Sequence, residues 1–184
     1  MSDFPSHTLD TAPAAARPDL EGAQQQYGMI PNMYARMAEA PTLLQAYLQT
    51  SETFANSSLD TVQQQVVLLT VSRINGCGYC MGAHSVLADM AGVPAEVTDA
   101  IRNDTPIGDA RLEALRQFTR QMVEQRGWVG DEVVQTFLAA GHSPANVLDV
   151  VLGIGLKTMS NYANHLVGTE LDEAFAGRAW QAPA

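Results

Sequence analysis

Apolar residues in this chain recur at intervals of three and four rather than at alternate positions, the spacing of helices that bury one face. Between Thr42 and Ala55 they fall at Leu43, Leu44, Tyr47, Leu48 and Phe54. A longer amphipathic helix is predicted over Ala110–Arg126, with Leu112, Leu115, Phe118, Met122 and Val123 on one side and Gly127 as its stop. The segment opened by Asp60 differs. Val62, Val66, Val67, Leu68, Leu69 and Val71 cover most of its faces, which predicts a buried helix closed by the turn signal Asn75-Gly76. Pro18 and Pro31 occupy first-turn positions, and Gly28 ends the helix that Pro18 begins. The same reasoning predicts helices over Cys77–Met90, Pro94–Arg102 and Asp131–Ala140, and a long one from Ser143-Pro144 toward Val167. No run combines period-two alternation with hairpin chemistry, so the expected fold class is all-α. Residues 1–17 are rich in Ser, Thr, Pro and Ala without periodicity, and read as a flexible arm ahead of one helical domain, 18–184.

Composition narrows the function. At 184 residues and 46% hydrophobic, the chain is long enough to bury its own core. It carries 10 Lys and Arg against 20 Asp and Glu, a formal net charge of −10, with no clustered basic face. That balance repels phosphates, so no nucleic-acid partner is expected. The start, MSDFPSHTLDTAPAAARPDL, lacks a basic opening and an apolar run, and no apolar segment reaches the roughly 20 residues that cross a bilayer. A cytoplasmic protein with no membrane partner is the expectation.

Both cysteines lie in one stretch, GCGYCMGAHS, Gly76–Ser85. On a helix, positions 77, 80 and 84 fall within an arc of roughly 60°. Cys77 and Cys80 are an i, i+3 pair, and Cys80 and His84 an i, i+4 pair. The Asn75-Gly76 break puts Cys77 in the first turn, where unpaired N–H groups and the helix dipole favour a thiolate. A dithiol/disulfide centre needs an acidified thiol and a resolving partner in reach, and this stretch supplies both. Two alternatives stand beside it. One is an inert pair in a helical core. The other is a zinc site, which would need a further donor such as His142 or His165, and no second C-x-x-C supports it. No metal and no cofactor are expected.

Three segments resemble the carboxymuconolactone decarboxylase superfamily, and within it the AhpD-like alkylhydroperoxidase branch. They are LDTVQQQVVLLTVSRINGCGYCMGAHSVLADMAGV (Leu59–Val93), YGMIPNMYARMAEAPTLLQAY (Tyr27–Tyr47) and FLAAGHSPANVLDVVLGIGLKTMSNYANHLVGTELDEAF (Phe137–Phe175). The resemblance implies an all-helical subunit that assembles as a homo-oligomer, a trimer or hexamer. It implies a peroxidase whose hydroperoxide substrate is attacked by the second cysteine and whose first cysteine resolves the sulfenic acid, with an external dithiol as reductant. Carried onto this chain, Cys80 is peroxidatic, Cys77 resolving and His84 a proton relay. The family's relay ends in a glutamate twelve residues before the first cysteine, where this chain has Gln65. A glutamine orients an imidazole or holds water but does not accept a proton as a base.

The order of the thiols is therefore open at this level: the helix terminus favours Cys77 as the more acidic, the resemblance assigns attack to Cys80. Two other functions also stand. One is a lactone- or carboxylate-processing enzyme like the family's namesake, using Arg73 or Lys157 to hold an anion. The other is a non-catalytic redox-sensing oligomer, which Gln65 keeps in view. Tyr79 is a candidate for the substrate entry, with a packing role as the alternative. Asn164 and His165 are expected in the core or an interface, with reach to the site as the alternative, and His142 at a helix end. His7 falls in the arm. Met29, Met33 and Met37 read as core or subunit contact, and Gly153 and Gly155 as points of close helix approach.

Overall fold

The computed structural model describes residues 4–183. Among them are nine α-helices and one C-terminal 3-10 turn, with no strand. In chain order the helices are α1 (Arg17–Tyr27), α2 (Asn32–Met37), α3 (Pro41–Ala55), α4 (Thr61–Ile74), α5 (Gly78–Met90), α6 (Ala95–Asn103), α7 (Ala110–Glu124), α8 (Asp131–Ala139) and α9 (Pro144–Val167). The turn spans Glu173–Arg178. The all-α expectation is met, and the predicted helices stand within a residue or two of their expected limits.

The centre of the fold is α4. Its start is fixed by a capping box: the Asp60 carboxylate accepts from Gln63 N at 2.9 Å, and Gln63 Oε1 accepts from Asp60 N at 3.0 Å. Val66, Val67 and Val71 are completely buried, and α5, α6, α7 and α9 all pack around this helix. The sequence property behind this placement is apolarity on nearly every face, which suits a helix with neighbours all round. The 24-residue α9 opens with a second capping box, Ser143 with Asn146, and crosses both α3 and α4. Gly153 is where they meet. A Cβ there would lie 2.7 Å from Val67 Cγ1 and 2.9 Å from Phe54 Cε2, so glycine lets α9 approach that closely.

Two regions differ from the sequence expectation. Within the predicted arm, Ala12 and Ala16 are buried against the body, His7 N donates to Ala35 O at 3.0 Å, and His7 Nε2 lies 2.8 Å from Glu39. Small alanine side chains fit between helices without any periodicity to announce them. Past Val167 the chain, for which no element is predicted, runs back across α5 as a strap. Arg102 donates to the carbonyls of Arg178 and Ala179 at 3.1 and 3.0 Å, and Arg178 pairs with Asp89 and Asp99. Gly78 admits the strap, since a Cβ there would stand 2.9 Å from Trp180 O. Among the described residues no single helix is long and apolar enough to cross a membrane.

Candidate active site

The turn between α4 and α5 delivers the cysteines. Asn75 ends α4, and its side chain donates to Asn161 Oδ1 on α9 at 2.9 Å, tying the turn to that helix. Cys77 N donates back to Ser72 O at 2.9 Å. Cys77 is the N-cap of α5, in extended conformation, rather than a first-turn residue as predicted. The helix proper begins at Gly78, so Cys77 stands at its cap and Cys80 inside its first turn. Both cysteines are unbonded and 1% exposed.

Around them α9 presents a buried polar face made of Lys157, Ser160, Asn161 and Asn164. Asn164 Nδ2 donates to Cys80 Sγ at 3.3 Å and reaches Cys77 Sγ at 3.9 Å and Met33 Sδ at 3.4 Å. Ser160 Oγ lies 3.7 Å from Cys80 Sγ. The two thiols respond in opposite directions. The Cys77 thiol shares its proton with Cys80, and with burial and the neighbouring negative charge this holds Cys77 far above the ordinary thiol range. Burial alone would also raise Cys80. The bond from Cys77, the Lys157 charge and the Ser160 hydroxyl overcome it and hold Cys80 well below that range. These directions make Cys80 the more acidic thiol of the pair. The helix terminus does favour Cys77, whose sulfur takes a backbone hydrogen bond from Cys80, but the thiol bond to Cys80 and burial outweigh it.

His84, one turn beyond Cys80, has Nδ1 3.2 Å from Gln65 Oε1. A carbonyl oxygen only accepts, so Nδ1 carries the proton and Nε2 is left as a free acceptor. Burial, with the Lys157 charge second, keeps this imidazole well below its usual range and therefore neutral.

Cys80, His84 and Lys157 line one cavity of about 400 Å³. Tyr27, Tyr34, Tyr47 and Tyr79, four of the chain's five tyrosines, form much of its wall. Met29, Met33 and Phe175 add apolar surface, and the exposed Leu87 and Met90 mark its mouth. Tyr79 is fixed by donating to Asp172 Oδ2 at 2.7 Å, while Asp172 Oδ1 accepts from Asn32 N at 3.0 Å. The strap thereby closes one side of the cavity and holds Phe175 edge-on to Tyr79, 6.4 Å between ring centres.

The structure brings Cys77, Cys80, His84, Gln65, Tyr79 and Asn164 together. It leaves out His165, which is exposed, and His142, whose ring stacks on Phe137 at 4.1 Å beside α8. His7 is at the N-terminal edge. Among the described residues no group of three His, Cys, Asp or Glu side chains could hold a metal. Arg73 faces Asp104 at 3.5 Å, away from the cavity. Sequence reasoning missed Ser160 and Asp172 altogether. Lys157, Ser160 and Asn164 do carry a signal, polar residues at i, i+3 and i+7 on an apolar helix.

Residues 41–121 match the carboxymuconolactone decarboxylase family. Among curated protein sequences, none matches this chain. Solved structures share the fold along nearly the whole length. An uncharacterized peroxidase-related protein with an alkylhydroperoxidase AhpD core, from Ralstonia eutropha JMP134, superimposes with a TM-score of 0.82 at 19% identity, covering 95% of this chain and 94% of its own. A peroxidase-related protein from Silicibacter sp. TM1040 gives 0.80 at 19%, covering 96% of each. A cysteine-to-alanine variant of the debrominase Bmp8, in complex with 2,3,4-tribromopyrrole, gives 0.78 at 16%, covering 97% of this chain and 95% of its own.

Proposed function

From a carboxymuconolactone decarboxylase family segment set in an AhpD-like fold, we propose that this chain is a thiol peroxidase acting on organic hydroperoxides. The observation that carries the reading is Cys80, an acidified thiol on the cavity wall whose sulfur accepts from the Asn164 amide at 3.3 Å, with Cys77 three residues before it. The Cys80 sulfur attacks the distal peroxide oxygen and becomes a sulfenic acid, and the peroxide is reduced to an alcohol. The Cys77 sulfur then attacks the Cys80 sulfur. A disulfide forms, the S–O bond breaks, and the hydroxyl leaves as water with the proton that Cys77 carried.

His84 serves this second step. Its neutral Nε2 takes the Cys77 proton and passes it to the departing hydroxide, while Gln65 holds the ring in the required tautomer. An external dithiol restores both thiols. The cavity favours a bulky apolar hydroperoxide over hydrogen peroxide, because its wall offers rings and thioethers. The homo-oligomer has its support on α9, whose outer face leaves Leu148, Val151, Tyr162 and Leu166 exposed.

The direct test follows cumene hydroperoxide consumption with dithiothreitol as reductant. Cys80→Ser abolishes it, and Cys77→Ser stops after one turnover. Unchanged turnover in Cys80→Ser overturns the assignment. A second reading is reductive dehalogenation of a small aromatic ring, supported by the tyrosine-rich wall and by the tribromopyrrole complex of the debrominase neighbour. Thiol-dependent bromide release from a brominated pyrrole, without peroxide consumption, would favour it.

A further inference from the structure

Lys157 has no role in the steps above, yet it is a basic side chain buried in the site. It is 1% exposed, and its Nζ is buried with no hydrogen-bond partner among the described residues. A buried ammonium is retained only against a compensating anion. Among the described residues no Asp or Glu lines the cavity, and no second Lys or Arg does either. Among the described residues the acidic group that shares this wall with Lys157 is the Cys80 thiol. Ser160, three residues along the same face of α9, stands 3.7 Å from the Cys80 sulfur, which places Lys157 one helical turn from the reacting atom.

The peroxide step also lacks an acid. Breaking the O–O bond releases an alkoxide, which needs a proton. Gln65 has none to give. The one ring proton of His84 is on Nδ1, committed to Gln65. Tyr79 donates to Asp172, and burial raises Tyr34, Tyr47 and Tyr79 above ordinary phenols, making them poorer acids.

We propose that Lys157 is the catalytic acid of the peroxide-cleaving step, pairing first with the Cys80 thiolate and then protonating the alkoxide that leaves. The inference rests on the peroxidase reading. The sulfur–oxygen bond forms as the oxygen–oxygen bond breaks. Sulfur is oxidised by two electrons, the peroxide is reduced by two, and the proton passes from the Lys157 ammonium to the leaving oxygen. Thiolate and ammonium become sulfenic acid and amine. The buried site is neutral overall before and after, so no uncompensated charge is created at any stage. Reduction of the disulfide by the external dithiol returns a proton to Lys157 and the negative charge to Cys80. With a cation supplying the proton, a carboxylate beside His84 is not needed for this half of the reaction, which accounts for Gln65.

The test compares two oxidants on wild type, Lys157→Met and Lys157→Arg, with folding checked by circular dichroism. The alkoxide leaving from tert-butyl hydroperoxide needs a proton; the acetate leaving from peracetic acid does not. Lys157→Met is expected to lose about 100-fold or more with tert-butyl hydroperoxide, the lower range of general acid catalysis, and at least tenfold less than that with peracetic acid. Lys157→Arg keeps a positive charge that does not deprotonate. It is expected to retain rapid iodoacetamide alkylation of Cys80 while losing tert-butyl hydroperoxide turnover. Equal losses on both oxidants, or none, overturn the role as acid. Cys80→Ser in the same assay separates this failure from failure of the peroxidase reading, since an active Cys80→Ser protein would remove the premise itself.

Discussion

Replacing Gly153 by alanine probes how α9 delivers its polar face to the cysteines. The new Cβ would lie 2.7 Å from Val67 Cγ1, 2.9 Å from Phe54 Cε2 and 3.0 Å from Phe54 Cζ, against an ordinary contact of 3.4–4 Å. Neither neighbour can retreat: Val67 is completely buried and Phe54 is 2% exposed. Overpacking of this kind costs about 1–3 kcal/mol. Alanine recovers about 1 kcal/mol through its better helix propensity. The net expectation is a loss of up to about 2 kcal/mol, or a Tm lower by up to about 8 °C for a chain of this length. Gly155, two residues on, has nothing within 4 Å of its would-be Cβ. There alanine gains about 0.5–1 kcal/mol with no clash to offset it. Urea unfolding followed by circular dichroism reads both variants. Peroxide turnover should fall in Gly153→Ala as well, because displacing α9 moves Lys157, Ser160 and Asn164 together. A Gly153→Ala protein stabilised as much as Gly155→Ala would refute the close approach of α9 to α3 and α4.

Further outcomes follow from the site. Asn164→Leu removes the amide donor to Cys80; a hydrogen bond to a charged group is worth about 1.5–3 kcal/mol, so alkylation of Cys80 by iodoacetamide at neutral pH should slow about tenfold. Tyr79→Phe strips Asp172 of one of its two partners and should destabilise the protein by about 1–3 kcal/mol in urea titrations. Gln65→Glu places an anion on His84 Nδ1, raising the imidazole from its depressed range, and should speed disulfide formation in rapid-quench measurements. His84 and His142 are both held below 6.5 by burial, so the unfolded chain binds more protons there and stability falls as pH drops below about 6.5. The urea midpoint should therefore be lower at pH 5.5 than at pH 7.5, with a shallower slope in His142→Phe.

Much of this architecture is legible in the chain. The three-and-four spacing marks the helices, the all-round apolarity of residues 62–71 marks the central one, and C-x-x-C-x-x-x-H marks the reactive turn. What escapes notice depends on distance in sequence. Asp172 meets Tyr79 across 93 positions, and no local pattern foretells a strap closing a cavity. Ala12 and Ala16 are buried because small side chains fit a gap that only the folded body creates. The thiol order turns on Lys157 and Ser160, and Ser160 meets Cys80 across 80 positions. Lys157 is visible as a charge in an apolar helix, but its meaning needs the cysteines opposite.

The central claim is that Cys80 and Cys77 form a peroxide-driven disulfide, and intact-protein mass spectrometry tests it most directly. After one equivalent of hydroperoxide the reduced protein should lose the mass of two hydrogens, with peptide mapping placing the bridge between Cys77 and Cys80. A protein that consumes peroxide with both thiols still open to alkylation would contradict the account.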